Sequence, residues 1–334
     1  MTEDVLSDVL GAVRLTGAVY FDFELRAPWV AEAPPSRDIV SVVMPGAQRL
    51  IEYHLLARGS CWAHAVGAEP IRLAAGDLVL FPQGDPHVLA SSPGMRASPD
   101  LAMYARGATP LPLFYEIGEG GASEARVICG FFGCDDRPFN PLLDALPRML
   151  HVPAHAGGDG WVNTLLMTAV RESRSGRPGA ENVLARLSEL MFVETIRRHL
   201  EQLPEQAGWL AGLRDPIVGK ALAAFHGAPA EPWTVDTLAR RAGASRSVLA
   251  ERFTALVGQS PMQYATMWRM QLASRQLRDG APVAEVAPAV GYDSEAAFSR
   301  AFKKAVGQAP GAWRRSASAP RANRAAPSRT GGAA

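Results

Sequence analysis

The stretch APVAEVAPAVGYDSEAAFSRAFKKAVGQAPGAWRR, residues 281–315, decides how the C-terminal part of this chain folds. Val283, Val286, Ala287 and Val290 recur at helical spacing and give a short apolar face. Gly291 supplies the positive φ of a tight turn between two helices. Asp293 or Ser294 caps the helix that follows by accepting an orphan backbone N–H. That helix places Phe298, Ala301, Phe302 and Val306 inward, and Glu295, Ala296, Ser299, Arg300 and Lys303 outward. Gly307 and Pro310 end it. A helix with a small, basic outer face behind such a turn suits a DNA major groove. Pro288 lies in the first helix of the pair, where it removes an N–H bond and is expected to bend the helix.

A second copy sits upstream. GQSPMQY at 258–264 recurs as GQAPGAW at 307–313, and Phe253 and Phe302 precede the two copies at equal spacing. Residues 234–258, TVDTLARRAGASRSVLAERFTALVG, carry Leu238, Ala239 and Ala242 on one helix, a turn at Gly243, a cap at Ser245, and Leu249, Phe253 and Leu256 on the next helix. The outer face of that second helix is Arg246, Ser247, Ala250, Glu251 and Thr254. Between the units, 261–278 reads as a linker helix anchored by Met262, Met267, Trp268, Met270, Leu272 and Leu277. At 1.5 Å per residue it is about 27 Å long. Two recognition helices held that way can reach successive major grooves about 34 Å apart.

This tandem pair resembles the DNA-binding domain of the AraC/XylS family of bacterial transcription regulators, whose signature VAEVAPAVGYDSEAAFSRAFKKAVGQAPGAWRR follows closely. The resemblance implies a partner in double-stranded DNA and activation by contact with RNA polymerase as the commoner mode. It also implies a helical dimerisation element, hence a homodimer. It places Arg300 at a base-contacting position, and Glu251 where the family often carries arginine. Arg pairs with guanine and Glu accepts from cytosine, whereas Arg246 and Lys303 suit phosphate.

Length and composition fit this reading. The 334 residues suit two domains with a helical piece between them. With 48% hydrophobic and 20% charged residues, the chain is of the soluble globular class, and no apolar run is long enough to span a bilayer. Residues 214–315 hold 14 Lys/Arg against 8 Asp/Glu, and the tail adds Arg321, Arg324 and Arg329. Since the whole chain is only +1, residues 1–213 are acidic. A basic C-terminal domain on an acidic N-terminal one fits a nucleic-acid binder with a separate sensor. Three cysteines and no evident signal peptide point to a reducing cytoplasm.

The N-terminal part reads as many short strands: 17–25, 38–44, 50–57, 60–66, 69–73, 77–82, 86–90, 101–106, 112–117 and 125–133, with loops such as 31–37 and 91–99. A short amphipathic helix precedes them at 4–14. Such spacing suggests a sandwich or barrel. GDLVLFPQGDPH fixes Gly76, Pro82, Gly84 and His87, which resembles the second motif of cupins, although Ala90, Ser91 and Ser92 stand where that motif has its asparagine. IEYHLLARGSCWAHA supplies Glu52, His54 and His64 in place of the first motif, with Glu52 and His54 on one strand face. The N-terminal half thus resembles the cupin-type regulatory domain of one AraC subgroup, some of whose members respond to oxidants through cysteines.

Two uses of the barrel follow. A metal held by His54, His87 and Glu52 or His64 is one; a pocket for an organic effector lined by His54 and His87, with no cofactor, is the other and the preferred reading. Cys129 is the candidate redox cysteine, with Arg126 and Arg137 as neighbours that could favour its thiolate. Cys129 and Cys134 have opposite strand parity, which sets them poorly for a disulfide.

The expected architecture is α+β and multidomain. A cupin-like sensor barrel (1–139) is followed by a helical dimerisation or packing segment (140–203) with helices near 159–174 and 180–203. A linker (204–215), an all-α tandem helix-turn-helix domain (216–316) and a disordered tail (317–334) complete it. The expected function is a cytoplasmic, non-enzymatic transcription regulator controlled by a small molecule or oxidant. The alternatives are a dioxygenase-like cupin metalloenzyme fused to a DNA-binding domain, and an architectural DNA-binding protein with a passive barrel.

Overall fold

The computed structural model describes residues 4–12, 15–105, 107, 109–119, 124–134, 138–154, 161–202 and 208–318. Arg137 and residues 319–334, which include most of the expected disordered tail, lie outside them. After helix α1 (Val5–Ala12), the chain runs through β1 (Thr16–Leu25), β2 (Val30–Ala33), α2 (Ser36–Val43), β3 (Arg49–Arg58), β4 (Ser60–Ala65), β5 (Ile71–Ala74), β6 (Leu78–Phe81) and β7 (His87–Ala90). It continues with β8 (Leu113–Ile117), β9 (Ala125–Cys134), α3 (Pro141–Ala145) and β10 (Leu150–Val152).

Two sheets form. One has the order β10-β6-β3-β9-β1-β8 and the other β2-β7-β4-β5. Among the described strands, β1 and β8 alone pair in parallel. Side chains alternate along the strands, so each face of the larger sheet has its own set. Leu50 and Leu56 of β3, Val79 and Phe81 of β6, and Val127, Cys129 and Phe131 of β9 point between the sheets, where they meet Cys61, Ala63 and Leu89. Ile51, Tyr53, Leu55, Leu78, Leu80, Ile128, Phe132 and Cys134 point the other way, onto helices. Cys129 and Cys134 therefore occupy different cores, and all three cysteines are free thiols.

Several elements differ from their sequence reading. Of residues 38–44, read as a strand, 38–43 belong to helix α2 and Met44 follows its end; apolar Ile39 and Val43 are four apart and bury one helical face. Residues 101–106, also read as a strand, contain a 3-10 turn over Leu101–Tyr104, started by the Asp100 carboxylate accepting from the Ala102 N–H. The loop read over 31–37 begins as strand β2, which pairs with β7. The larger sheet also runs past residue 139, because β10 pairs with β6.

The helical part consists of α4 (Trp161–Glu172), α5 (Ala180–Gln202), α6 (Gly208–Arg214), α7 (Val218–Gly227), α8 (Val235–Ala242), α9 (Arg246–Val257), α10 (Pro261–Arg278), α11 (Val283–Ala289), α12 (Glu295–Val306) and α13 (Pro310–Ser318). Helix α6 lies inside the stretch read as a linker, and it buries Trp209, Leu210 and Ala211. Buried Asp22 on the outer face of β1 fastens the end of α4 to the barrel. It accepts from Arg126 at 2.9 and 2.6 Å, from Ser173 at 3.1 Å and from Arg174 at 3.1 and 3.3 Å. Burial opposes ionisation of Asp22, but Arg126 and then Arg174 hold its carboxyl below the usual range.

One continuous apolar core runs from the outer face of the larger sheet through α5 and α6 into α7, α8, α9 and the first half of α10. Helix α1 is wedged into it by Val5 and Val9. The second helix-turn-helix has a separate core of Met270, Leu277, Val286, Val290, Phe298, Phe302 and Trp313. At the seam, buried Gln271 of α10 accepts from the Phe139 N–H at 3.2 Å and donates to the Ala12 carbonyl at 3.5 Å. Beside it His226 stacks on Trp268 with ring centroids 4.0 Å apart, and the His226 ring bonds the Tyr264 hydroxyl at 2.8 Å.

Candidate functional site

The barrel encloses a cavity of about 190 Å³. Phe21, Phe23 and Leu25 of β1, together with Trp29, Leu89, Tyr104 and Phe131, make its walls. Its polar end is built by Glu52, His54, His87 and Cys129. Glu52 and His54 are both even-numbered on β3 and so share the inward face. His54 stands opposite Cys129 in the β3–β9 register. His87 arrives from β7 after the turn at Gly84, whose φ of +67° and contact with the Ser36 side chain both require glycine. His64 points away. The inward residues of β4 are Cys61, Ala63 and Ala65, so the intervening His64 takes the other face.

These groups form a directed relay. His87 Nδ1 lies 2.9 Å from the Asp85 carbonyl, which can only accept, so Nδ1 carries the proton and Nε2 is the acceptor. His87 Nε2 is 2.6 Å from His54 Nε2, which must then be the donor. That leaves His54 Nδ1 to accept from the Cys129 thiol at 2.7 Å. The tautomers are assigned from this network. Phe81 stacks on the His87 ring, with centroids 3.7 Å apart. Glu52 accepts from the Ser36 hydroxyl at 2.8 Å, and its other oxygen is 3.7 Å from His87 Nε2, beyond hydrogen-bond reach.

Burial favours the neutral form of each relay member and of the adjacent Glu52. Burial pushes the Glu52 carboxyl up to about 8. Burial pulls His87 down to about 4, and pulls His54 well below its ordinary value with help from the charge His87 would carry. Burial, then the neighbouring Glu52, pushes the Cys129 thiol well above its ordinary range. This is the reverse of the electropositive setting that makes a thiol reactive. Arg126, expected beside Cys129, is on the opposite sheet face bound to Asp22.

The donor atoms of Glu52, His54 and His87 lie within 4.8 Å of one another, which by residue type suggests a metal. In this structure the two imidazoles bond each other instead of facing a shared third atom. Two imidazole nitrogens on one tetrahedral zinc are held about 3.3 Å apart by metal–nitrogen bonds of about 2.0–2.1 Å. At 2.6 Å these two are closer than that and bond each other.

The two recognition helices are built alike. Ser245 caps α9 and Ser294 caps α12, each accepting from the N–H three residues on at 3.3 Å. Gly243 and Gly291 make the preceding turns at φ +72° and +79°. Pro288 falls in the last turn of α11, where the helix is already ending. On α9, Arg246, Ser247, Glu251 and Thr254 are exposed and Ala250 is half-buried; Arg246 lies 3.6 Å from Asp236. On α12, Glu295, Ala296, Arg300 and Lys303 are exposed and Ser299 is half-buried. Among the described residues neither Arg300 nor Lys303 has an ion-pair partner.

The aromatic walls were the part of the site that sequence reasoning missed. Phe21, Phe23 and Leu25 alternate on β1, a period-two signal that was present. Trp29 comes from a non-regular segment and Tyr104 from the 3-10 turn over Leu101–Tyr104, neither marked by a repeating apolar pattern.

A family model described as Cupin matches residues 4–201, and one described as Helix-turn-helix domain matches residues 238–316. A Streptomyces lividans protein described as an AraC-like transcription regulator is 40% identical over 276 residues, covering 80% of this chain and 88% of that protein. The HTH-type transcriptional regulator AlkR of Acinetobacter baylyi is 29% identical over 316 residues, covering 93% of this chain and 99% of AlkR. The crystal structure of the DNA-binding domain of AdpA with a target DNA is 33% identical, with a TM-score of 0.29, and covers 30% of this chain and 92% of that domain.

Proposed function

The chain belongs to the AraC-like transcription regulators, DNA-binding proteins that here carry a cupin sensing domain, and from that premise we propose that a small molecule bound in the barrel cavity sets DNA affinity. The observation that carries the reading is the continuous core. The sheet that supplies Glu52, His54 and Cys129 packs its other face into the same apolar body as the first helix-turn-helix unit. A cavity that changes shape on filling can therefore press on α7–α10 through packed side chains.

On DNA, Arg300 reads a base, with Glu295, Ala296 and Ser299 alongside, and Lys303 holds a phosphate. Arg246, Ser247, Ala250 and Glu251 form the corresponding face of the first unit. The protein acts in the cytoplasm as a regulator, not an enzyme, and activates by touching RNA polymerase. It works as a homodimer through α4 and α5, where Met167, Val183 and Leu190 remain exposed at 47%, 44% and 48%. A small molecule is favoured over an oxidant because Cys129 is buried, protonated and engaged with His54.

The test is a mobility shift on the protein's own upstream DNA. Arg300→Ala should cost about 1–3 kcal/mol of specific binding. Lys303→Ala should weaken all sequences alike and lower the salt slope by about 1. Equal specific affinity of Arg300→Ala and wild type would refute the assignment.

A further inference from the structure

Resting on the reading that the barrel cavity is the effector site, the structure also limits what that effector can be. A cavity of about 150 Å³ lined by apolar side chains holds a benzene molecule. The space here is about 190 Å³, room for one ring and a short substituent. The walls are aromatic and aliphatic, so a polyhydroxylated ligand would leave most of its polar groups unbonded, at a cost for each.

Charge narrows the class further. Among the described residues lining the cavity there is no lysine or arginine, while Glu32, Glu52 and Asp100 are acidic. Glu32 already pairs with Arg96 at 2.6 Å. A buried anion would find no counter-charge. The imidazoles bond each other and Cys129, which leaves the Glu52 oxygen 3.7 Å from His87 as the group best placed for a single ligand hydrogen bond.

We propose that the effector is a single-ring-sized apolar molecule that carries no negative charge and whose one hydroxyl or carbonyl bonds to Glu52 at the base of the barrel. Benzyl alcohol and benzoate share a ring and a one-carbon substituent position but differ in charge at neutral pH. Titrating the full-length protein with each by calorimetry should show benzyl alcohol binding at least about tenfold more tightly than benzoate, since burying an unpaired charge costs more than burying a hydroxyl. Two variants that fill the cavity, Leu89→Trp and the half-buried Ala31→Phe, should abolish binding, with folding checked by thermal melts.

The outcomes separate the two claims. Tighter binding of benzoate that is lost in the filled variants overturns the class and leaves the cavity as the effector site. Equal binding of benzyl alcohol to wild type and a folded filled variant overturns the cavity itself. No binding of benzyl alcohol at millimolar concentration overturns the class.

Discussion

Replacing Glu52 by glutamine tests the electrostatics of the barrel directly. Glu52 is 1% exposed, and burial raises its carboxyl from 4.5 to about 8. The folded chain thus keeps a proton that the unfolded chain releases. Stability linked to this group is complete below pH 4.5, declines above it, and is lost as pH rises through about 8. At 1.36 kcal/mol per pH unit, the window corresponds to about 4–5 kcal/mol. Glutamine has the same shape, can still accept from Ser36, and has no proton to lose. The variant should therefore match wild type near pH 4.5 and exceed it by at least about 2 kcal/mol near pH 8. Urea unfolding at several pH values measures this. His87, lowered to about 4, contributes stability above 6.5 that is lost as pH falls through about 4, but it is present in both proteins and cancels in the difference. A difference that does not change with pH would mean that Glu52 is ionised throughout, and the neutral relay would be wrong.

Other perturbations probe the DNA-binding half. Gly291→Ala forces a Cβ onto the Ala230 backbone at φ +79° and should destabilise the second unit by more than about 1 kcal/mol, read as faster hydrogen exchange in α11 and α12. Gln271→Ala leaves the Phe139 N–H and Ala12 carbonyl without this partner and should cost about 1–3 kcal/mol in urea unfolding. The same variant should bind DNA but respond less to an effector in mobility shifts. Leu190→Glu combined with Val183→Lys should turn a dimer into a monomer in analytical ultracentrifugation; an unchanged mass would place the dimer interface elsewhere.

The DNA-binding half was legible because its signals are local. A glycine turn, a serine cap and apolar residues three or four apart are enough to place α8, α9, α11 and α12, and both units repeat them. The cupin motif likewise located His87, and strand parity put Glu52 beside His54. What escaped is determined by tertiary contact. The stretch 38–44 is rich in β-branched residues, yet packing makes it helical. Helix α6 is seven residues long and forms because Trp209 and Leu210 have a core to enter. Nothing local tells that His54 Nδ1 meets Cys129, because that contact joins strands 75 residues apart.

The separate core of the second helix-turn-helix has a consequence for the DNA. The first unit is continuous with the sensor, whereas the second meets the rest of the chain mainly along α10. The two halves of a binding site are then not equivalent. Base changes under α9 should alter how strongly a regulatory signal is felt, whereas changes under α12 should alter occupancy in either state by the same factor. A promoter could thus set the strength of its response and the level of its expression through different base pairs.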